Sequence, residues 1–187
     1  MRVIILDVHH PEDGRVNRHI RYLQNLGHNV IHINVNRYFS FLETGCFSKY
    51  GEKGYRINIG DYSQSLLNRL RLHILFFTPI LSLIIMNVLK QNYEFSSTHT
   101  VIHVHDYELL ITAIYLRVFL PGKNVIVYDR HEYLEIPKIK HSFFDHIPRI
   151  YEKITAKHID GLVDISKEHL EKINKKPFPV FRINRGS

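Results

Sequence analysis

The chain has 187 residues, enough to bury a core without disulfides, and 25 Lys and Arg against 18 Asp and Glu give it a net charge of +7. A 44% hydrophobic fraction with 9 Gly, 7 Pro and 1 Cys excludes collagen-like, disulfide-stapled and largely disordered chains. The basic charge favours an anionic partner, such as a phosphorylated ligand, acidic lipid headgroups or nucleic acid. Because Cys46 cannot form an internal disulfide and the start MRVIILDV lacks a signal-peptide layout, we expect a cytoplasmic protein.

The first 35 residues predict a strand, a helix and a second strand. An apolar run covers Arg2–Val8, and apolar residues then recur at helical spacing from Gly14 to Leu26, before a C-capping Gly27. Asn29–Val35 is again β-branched and apolar. Strands joined by a helix over such short connections are those of a parallel sheet.

Two stretches interrupt this alternation. Residues 36–54 are rich in Gly, Ser and aromatics without a clear period, which predicts a long loop before a short strand at 55–59. Residues 72–89 are the most apolar stretch, but their polar interruptions leave them short of the ~20 clean residues of a spanning helix. We expect one long crossover helix kinked at Pro79. The alternative is a membrane-surface helix with Arg69, Arg71 and Lys90 at its edges.

After residue 100 the alternation of strands and helices resumes. Strands are predicted over 100–105, 124–129, 161–165 and 178–183, and helices over 107–119, 148–158 and 166–173. We therefore predict one α/β domain over 1–183, a doubly wound parallel sheet with helices on both faces. Residues 184–187 are expected to begin an interdomain linker or to be a non-native end.

Polar side chains follow three of the predicted strands where each strand ends. They are Asp7, His9, His10, Glu12, Asp13 and Arg15 after the first, His105 and Asp106 after the strand at 100, and Asp129, Arg130, His131, Glu132 and Glu135 after the strand at 124. Ligands of open parallel sheets bind beyond the carboxyl ends of the strands. The sequence therefore predicts a crevice lined by imidazoles and carboxylates.

Several common chemistries have no motif here. The turn HHPEDGRV after the first strand holds a single Gly, so it is neither a GxGxxG dinucleotide fingerprint nor a Walker A phosphate loop. The chain contains no GxSxG nucleophile elbow, and Cys46 has no evident His partner. These features disfavour NAD, P-loop and covalent hydrolase chemistry.

The HxHD segment at 103–106 allows two interpretations. His103, His105 and Asp106 could ligate a metal, because alternate strand residues share a face and imidazole is a common ligand. Asp129, His131 and Glu132 nearby could complete a mixed histidine and carboxylate site. The same groups could instead hydrogen-bond the hydroxyls of a sugar. His103, one alternation deeper, is expected to be a core histidine. Asp13 could equally be the N-cap of the first helix.

Four segments resemble glycosyltransferase family 4 proteins, in the same order and spacing. DxRV at Asp13–Val16 is similar to the element that opens the first helix, and HVHDYELL at 103–110 resembles the HxHD segment of that family. YDRHEYLEI at 128–136 resembles its YDxHExxxE segment, and IDGLVDISKEHLEKI at 159–173 is similar to its ADGVITVS stretch and following helix. The resemblance covers most of the chain.

The resemblance implies the Rossmann-like N-terminal domain of a GT-B enzyme, in which this half binds the acceptor and a second domain binds the donor. By motif, His131 would be the catalytic residue beside the transferred sugar. The acceptor side would be lined by His105, Asp106, Asp129, Glu132, Glu135, Asp13 and Arg15. No cofactor and no metal site are expected, and the nucleotide-sugar donor would be a co-substrate.

The expected function is half of a retaining glycosyltransferase that acts on a glycan or lipid-linked acceptor in cell-surface polysaccharide synthesis, peripheral at the inner face of an anionic membrane. The donor domain would be missing, so the chain alone is expected not to transfer sugar. Nucleic acid is not an expected partner. Two alternatives are a non-catalytic partner module of a split glycosyltransferase and a metal-dependent hydrolase that uses His103, His105 and Asp106.

Overall fold

Seven strands form one sheet, with helices packed around it, in a computed structural model that describes residues 1–9, 14–37, 43–49, 52–60, 66–93, 99–130 and 147–164. The strands are β1 (Arg2–Asp7), β2 (Asn29–Asn36), β3 (Gly45–Lys49), β4 (Glu52–Asn58), β5 (His99–Val104), β6 (Lys123–Arg130) and β7 (Gly161–Asp164). The helices are α1 (Gly14–Asn25), α2 (Leu66–Phe77), α3 (Ile80–Asn92), α4 (Leu110–Phe119) and α5 (Ile147–Thr155). Single 3₁₀ turns lie at Tyr107–Leu109 and Ala156–His158.

The strand order is β3-β4-β2-β1-β5-β6-β7, and every neighbouring pair is parallel except β3 with β4. The chain builds outward from β1 through β2 to β4, then returns to place β5 on the other side of β1. Leu6 is thereby in register with Ile33 on one side and with Val104 on the other. This arrangement confirms the predicted doubly wound α/β sheet.

One face of the sheet carries most of the hydrophobic core. Alternate residues of the central strands point to it, and α2, α3, α4 and α5 cover it with apolar side chains. The strand residues are Ile4, Leu6, Ile31, Ile33, Val35, Ile102, Val104 and Ile126, all at most 1% exposed. We call this surface the apolar face.

The opposite face packs on α1 through a smaller cluster. Val3 and Ile5 of β1 meet Val16 and Ile20 of α1, which matches the helical spacing of the sequence. Toward the carboxyl ends of the strands, this face changes from apolar to polar residues. We call it the α1 face.

The predicted loop over 36–54 is wrong in its second half. Gly45–Lys49 forms β3, which pairs antiparallel with β4 and adds an outermost strand to the sheet. Phe47 lies opposite Gly54, and its ring fills the space that a Cβ at Gly54 would need. An aromatic ring that covers a strand glycine is a packing that the local sequence composition does not reveal.

The apolar stretch at 72–89 is two helices instead of one. α2 and α3 meet at Thr78 and Pro79 with a bend of 63°, because proline cannot continue the hydrogen-bond ladder of α2. Among the described residues, no single helix is long and apolar enough to cross a membrane, although Leu70–Phe77 and Ile80–Asn92 together pass by length and composition. Phe76, Leu81 and Ile85 are fully buried in the core.

Other predicted elements have mixed outcomes. The strand near 161 and the helix near 148 are present as β7 and α5. The helix expected at 166–173, the strand at 178–183, the domain end at 183 and the linker at 184–187 lie outside the described residues.

Candidate functional site

The switch point of the sheet lies between β1 and β5, where the chain reverses its direction of strand addition. At such a point the connections leave neighbouring strands in opposite directions and open a crevice at the carboxyl ends. Asp7 ends β1 and His105 follows β5, so the predicted polar clusters lie on this edge.

β1 and β5 remain joined by hydrogen bonds beyond their last paired residues. The His105 amide donates to the Leu6 carbonyl at 3.0 Å, and the Val8 amide donates to Asp106 Oδ2 at 3.2 Å. His9 Nε2 lies 3.3 Å from the other oxygen, Asp106 Oδ1. Asp106 therefore bridges the crevice from β5 to β1 and holds His9 at its rim.

Asp7 is the centre of a second hydrogen-bond network on the α1 face. Its Oδ1 accepts from Asn34 Nδ2 at 2.8 Å and from the His9 amide at 3.0 Å, while Oδ2 contacts His32 Nε2. Asn34 Nδ2 also donates to the His9 carbonyl at 2.8 Å. The Asp7 carboxylate fixes the backbone that carries His9, and because its side chain is only 2% exposed it is less available to a ligand than Asp106, which is 14% exposed.

Asp106 has the chemistry of a weak acid. Burial, together with the carboxylates of Glu108 and Asp7, raises its pKa well above the usual range, against the opposing effects of Arg37 and the Val8 amide. Its side chain remains 14% exposed. A carboxyl group with a raised pKa can both donate to and accept from sugar hydroxyls.

A buried ion pair lies behind the crevice. Arg37, just after β2, contacts Glu108 in the 3₁₀ turn that follows β5, and the Glu108 side chain is only 1% exposed. His73 of α2 is also buried, and burial lowers its pKa, with Arg37 adding to this effect and Glu108 opposing it. The ion pair fastens the ends of β2 and β5 together.

Three imidazoles and one carboxylate form a cluster on the α1 face. His103 and His105 stack with ring centroids 4.8 Å apart, and His19 of α1 meets their edges at 4.3 and 5.5 Å. Asp129 Oδ2 lies 3.4 Å from His105 Nδ1 and 3.9 Å from His103 Nε2. Burial lowers the pKa of His19. Asp106 is not a member of this cluster, since it turns to β1 instead.

The remaining sequence-predicted site residues divide into two groups. Arg15 is exposed in the first turn of α1, at the same edge of the sheet as the crevice. Asp13, His131, Glu132 and Glu135 lie outside the described residues, so their predicted roles stay predictions.

Sequence reasoning missed several residues that the fold brings to this edge. His32 and Asn34 occupy alternate positions of β2, and His19 lies between Val16 and Ile20 on the buried side of α1. Polar residues with these periods on otherwise apolar elements are a readable signal. The contacts of these residues could not be predicted, because the partners are distant in the chain. His32 is 25 residues from Asp7, and Arg37 is 71 residues from Glu108.

No protein-family model and no curated protein matches this sequence. The structure is similar to a sucrose-phosphate synthase from Thermosynechococcus elongatus, with a TM-score of 0.60, 14% identity, and coverage of 96% of this chain and 84% of that one.

Two further solved structures match one region of a longer chain. A trehalose-6-phosphate structure from E. coli bound with UDP-2-fluoro glucose has a TM-score of 0.54 and 16% identity over 90% of this chain and 40% of that one. An α,α-trehalose-phosphate synthase (UDP-forming) from Burkholderia xenovorans in complex with glucose-6-phosphate has a TM-score of 0.54 and 12% identity over 91% and 41%.

These similarities establish the fold. The chain has the mixed α/β fold that these structures share, and it spans about two fifths of the two trehalose-phosphate chains.

Proposed function

We propose that this chain is the acceptor-side, N-terminal domain of a retaining GT-B glycosyltransferase. The donor is a nucleotide sugar, and the acceptor is a glycan or lipid-linked sugar of cell-surface polysaccharide synthesis. The observation that carries the proposal is the crevice between β1 and β5, where His9 and Asp106 meet in a fold similar to that of sugar-phosphate synthases. The four motifs described above point to the same class.

The residues of the crevice suit a polyhydroxylated acceptor. Asp106 can donate or accept, His9 adds a second polar group at the rim, and Arg15 supplies positive charge at the same edge. Recognition of a sugar needs several such groups that are held in place before binding. The networks of Asp7 and Asp106 hold His9 and Asp106 in place through direct contacts with the ends of β1 and β2.

In this proposal the transition state of sugar transfer is stabilised by charge and by the positioning of the reactants. Transfer with retention passes through an oxocarbenium-like transition state, and the departing phosphate carries growing negative charge. The resemblance assigns the donor phosphates to a second domain and the contact with the transferred sugar to His131. This domain would present the acceptor hydroxyl and shield the reacting carbon from water.

A binding experiment tests the acceptor role directly. Glucose 6-phosphate, as a soluble substitute for a phosphate-linked sugar acceptor, and UDP-glucose are offered to the purified chain, and binding is followed by saturation-transfer NMR. We expect the sugar phosphate to bind and the replacement of Asp106 by Ala to weaken it by about 10–100-fold, the effect of losing one hydrogen bond to a charged group.

The matched control for this experiment is His28→Ala. His28 is half-buried like His9, but it precedes β2 and therefore lies at the opposite edge of the sheet. We expect its replacement to leave binding unchanged. Equal losses in Asp106→Ala and His28→Ala, or no binding of any sugar phosphate, would contradict the acceptor role.

Turnover by the chain alone is a separate measurement. We expect no transfer from nucleotide sugars, because the resemblance places the donor site in another domain. Product formation would show that this domain binds both substrates and would overturn the assigned division of labour. Binding of a sugar ligand without transfer, even when a donor domain is supplied, would favour the non-catalytic partner module.

We further propose that α2 and α3 rest on the cytoplasmic face of an anionic membrane. α2 exposes Leu67, Leu70, Ile74 and Phe77, and α3 exposes Ile80, Leu83 and Ile84. Exposed Arg71 lies between Leu70 and Ile74 in the sequence, so basic and apolar groups share one helix. Such a surface gains from apolar burial and from attraction to acidic headgroups.

Vesicle flotation tests the membrane proposal. We expect binding to phosphatidylglycerol vesicles that falls with salt and with the pair Leu70→Gln and Ile74→Gln, and little binding to phosphatidylcholine. Val118→Gln is the matched control, since Val118 is 73% exposed on α4. Absence of flotation with the anionic vesicles would remove the membrane from the proposed function.

A further inference from the structure

The α1 face holds a compact set of metal-binding side chains, brought together from three elements. His19 comes from α1, His103 from β5, His105 from the position just after β5, and Asp129 from β6. Taking one nitrogen or carboxylate oxygen from each residue, the four atoms all lie within 4.8 Å of one another. His103, His105 and Asp129 are buried, and His19 is half-buried.

The side chains project into one space between β5 and α1. His103 lies near the end of β5 and His105 just after it, so they project from the same face and stack nearly parallel, with 6° between their planes. The ring of His19, on the helix that covers them, is nearly perpendicular to both. Asp129 Oδ2 faces the pair from the neighbouring strand, 3.4 Å from His105 Nδ1.

We propose that His19, His103, His105 and Asp129 form a binding site for one divalent transition-metal ion of the Zn²⁺ type. Three imidazoles and a carboxylate are ligands that Zn²⁺, Co²⁺ and Ni²⁺ accept, whereas Mg²⁺ and Ca²⁺ require mostly oxygen ligands. This set differs from the metal alternative considered for the HxHD segment, because it lacks Asp106 and includes His19 of α1.

The separations are compatible with such an ion after small side-chain rotations. Ligand atoms bound at about 2.0–2.2 Å around a tetrahedral ion are roughly 3.4 Å apart. The Asp129 to His105 contact is already at 3.4 Å, and the widest pair, at most 4.8 Å apart, must close by up to about 1.4 Å as the two stacked rings tilt toward the ion. Four protein ligands complete a tetrahedral shell, which makes the site structural, with no open position for a hydrolytic water.

Such an ion would join α1, β5 and β6 immediately behind the crevice. His105 lies next to Asp106 in the chain, so metal binding would fix the strand end that presents Asp106 to a ligand. The proposal does not rest on the proposed glycosyltransferase function, because its ligands are four side chains of this chain and its test needs neither a sugar nor a nucleotide. It would assign His105 and Asp129 to the ion instead of the acceptor side.

Cobalt spectroscopy tests the proposal without any activity assay. Protein dialysed against a chelator is titrated with Co²⁺, and we expect a visible ligand-field band of a tetrahedral site that saturates at one ion per chain and is displaced by Zn²⁺. His19→Gln is the variant best suited to folding, since His19 is only half-buried. It and Asp129→Asn should each weaken Co²⁺ binding by about 100-fold or more.

The control variant is His28→Gln, a half-buried histidine at the opposite edge of the sheet, which should leave the band and its saturation unchanged. A band that persists in both His19→Gln and Asp129→Asn would place the ion elsewhere and overturn the site. If these variants fail to fold, the Tm of the parent chain is measured with Zn²⁺ and with Mg²⁺. A rise in Tm with Zn²⁺ and not with Mg²⁺ supports the site, and no rise with saturating Zn²⁺ overturns it.

Discussion

The two faces of the sheet use the same strands for different purposes. On β5, Ile102 and Val104 enter the apolar face, while His103 and His105 enter the α1 face. The apolar face is covered by four helices, and the α1 face, among the described helices, by α1 with a small cluster and a polar network. Stability is therefore concentrated on one side of the sheet and polar chemistry on the other.

The register of β5 keeps the polar site on the α1 face separate from the apolar core. Strand side chains alternate between faces, so a slip of one residue in β5 would move both histidines into the apolar core. Burying those imidazoles without partners would be costly, and so would exposing Ile102 and Val104. The hydrophobic face thus fixes the position of the polar groups that it does not contact.

The largest expected effect comes from the one ion pair described at the edge of the apolar face. Arg37→Met leaves the Glu108 carboxylate buried without its cation, and we expect a loss of about 3–5 kcal/mol in the free energy of unfolding. Urea denaturation at neutral pH measures it. The pair Arg37→Met and Glu108→Gln should recover part of the loss, because no unpaired charge then remains. A double variant as unstable as the sum of the single ones would contradict this account.

Truncation in the apolar face is expected to lower stability and spare ligand binding. Leu6→Ala removes a fully buried side chain and should cost about 2–5 kcal/mol by urea denaturation. Sugar-phosphate binding to the folded variant should stay close to that of the parent chain. A large loss of affinity without loss of stability would show that the two faces are not separate in function.

A substitution in the polar network should cost less stability than Leu6→Ala and should also weaken ligand binding. Asp7→Asn preserves shape but replaces an oxygen that contacts His32 or Asn34, and we expect a loss of about 1–3 kcal/mol in stability. Because Asp7 also accepts from the His9 amide, sugar-phosphate affinity should fall as well. Urea denaturation measures the stability of Asp7→Asn and of Leu6→Ala, and NMR measures the sugar-phosphate affinity of both variants. Unchanged affinity in Asp7→Asn would contradict the positioning role.

The smallest expected effect is the pH dependence due to His73. Burial lowers the pKa of His73 below its ordinary 6.5, so the folded chain binds this proton less readily than the unfolded chain. The stability that the neutral ring contributes is present above pH 6.5 and is lost as the pH falls through the folded-state pKa, by at most about 1.4 kcal/mol per pH unit.

Denaturation at several pH values between 7.5 and 5 measures this slope. His73→Gln should flatten the curve in that window, because the substituted side chain takes up no proton. An unchanged slope in His73→Gln would show that other groups cause the acid sensitivity.

Local pattern predicted much of the fold. Apolar runs and helical spacing located β1, α1 and β2, and Pro79 marked the break between α2 and α3. β3 was not predicted because its five residues include Gly45 and are stabilised as a strand by pairing with β4. Such pairing is a tertiary effect that no short window of sequence contains.

The candidate site was predictable in part. The rule for parallel strand ends placed Asp7, His105 and Asp106 on one edge, where the structure also places them. It could not distinguish their partners. Asp106 bonds across to Val8 and His105 faces Asp129, because the side chains of neighbouring residues leave the strand in different directions.

The hydrogen bonds that join β1 and β5 beyond their last paired residues have a consequence for the thermodynamics of ligand capture. The His105 amide and the Asp106 carboxyl are held against the end of β1 before any ligand arrives. The conformational entropy of that junction is lost when the chain folds, so a ligand that binds there does not have to order it again. We therefore expect ligand affinity at this junction to respond more to the side chains that line it than to the flexibility of its backbone.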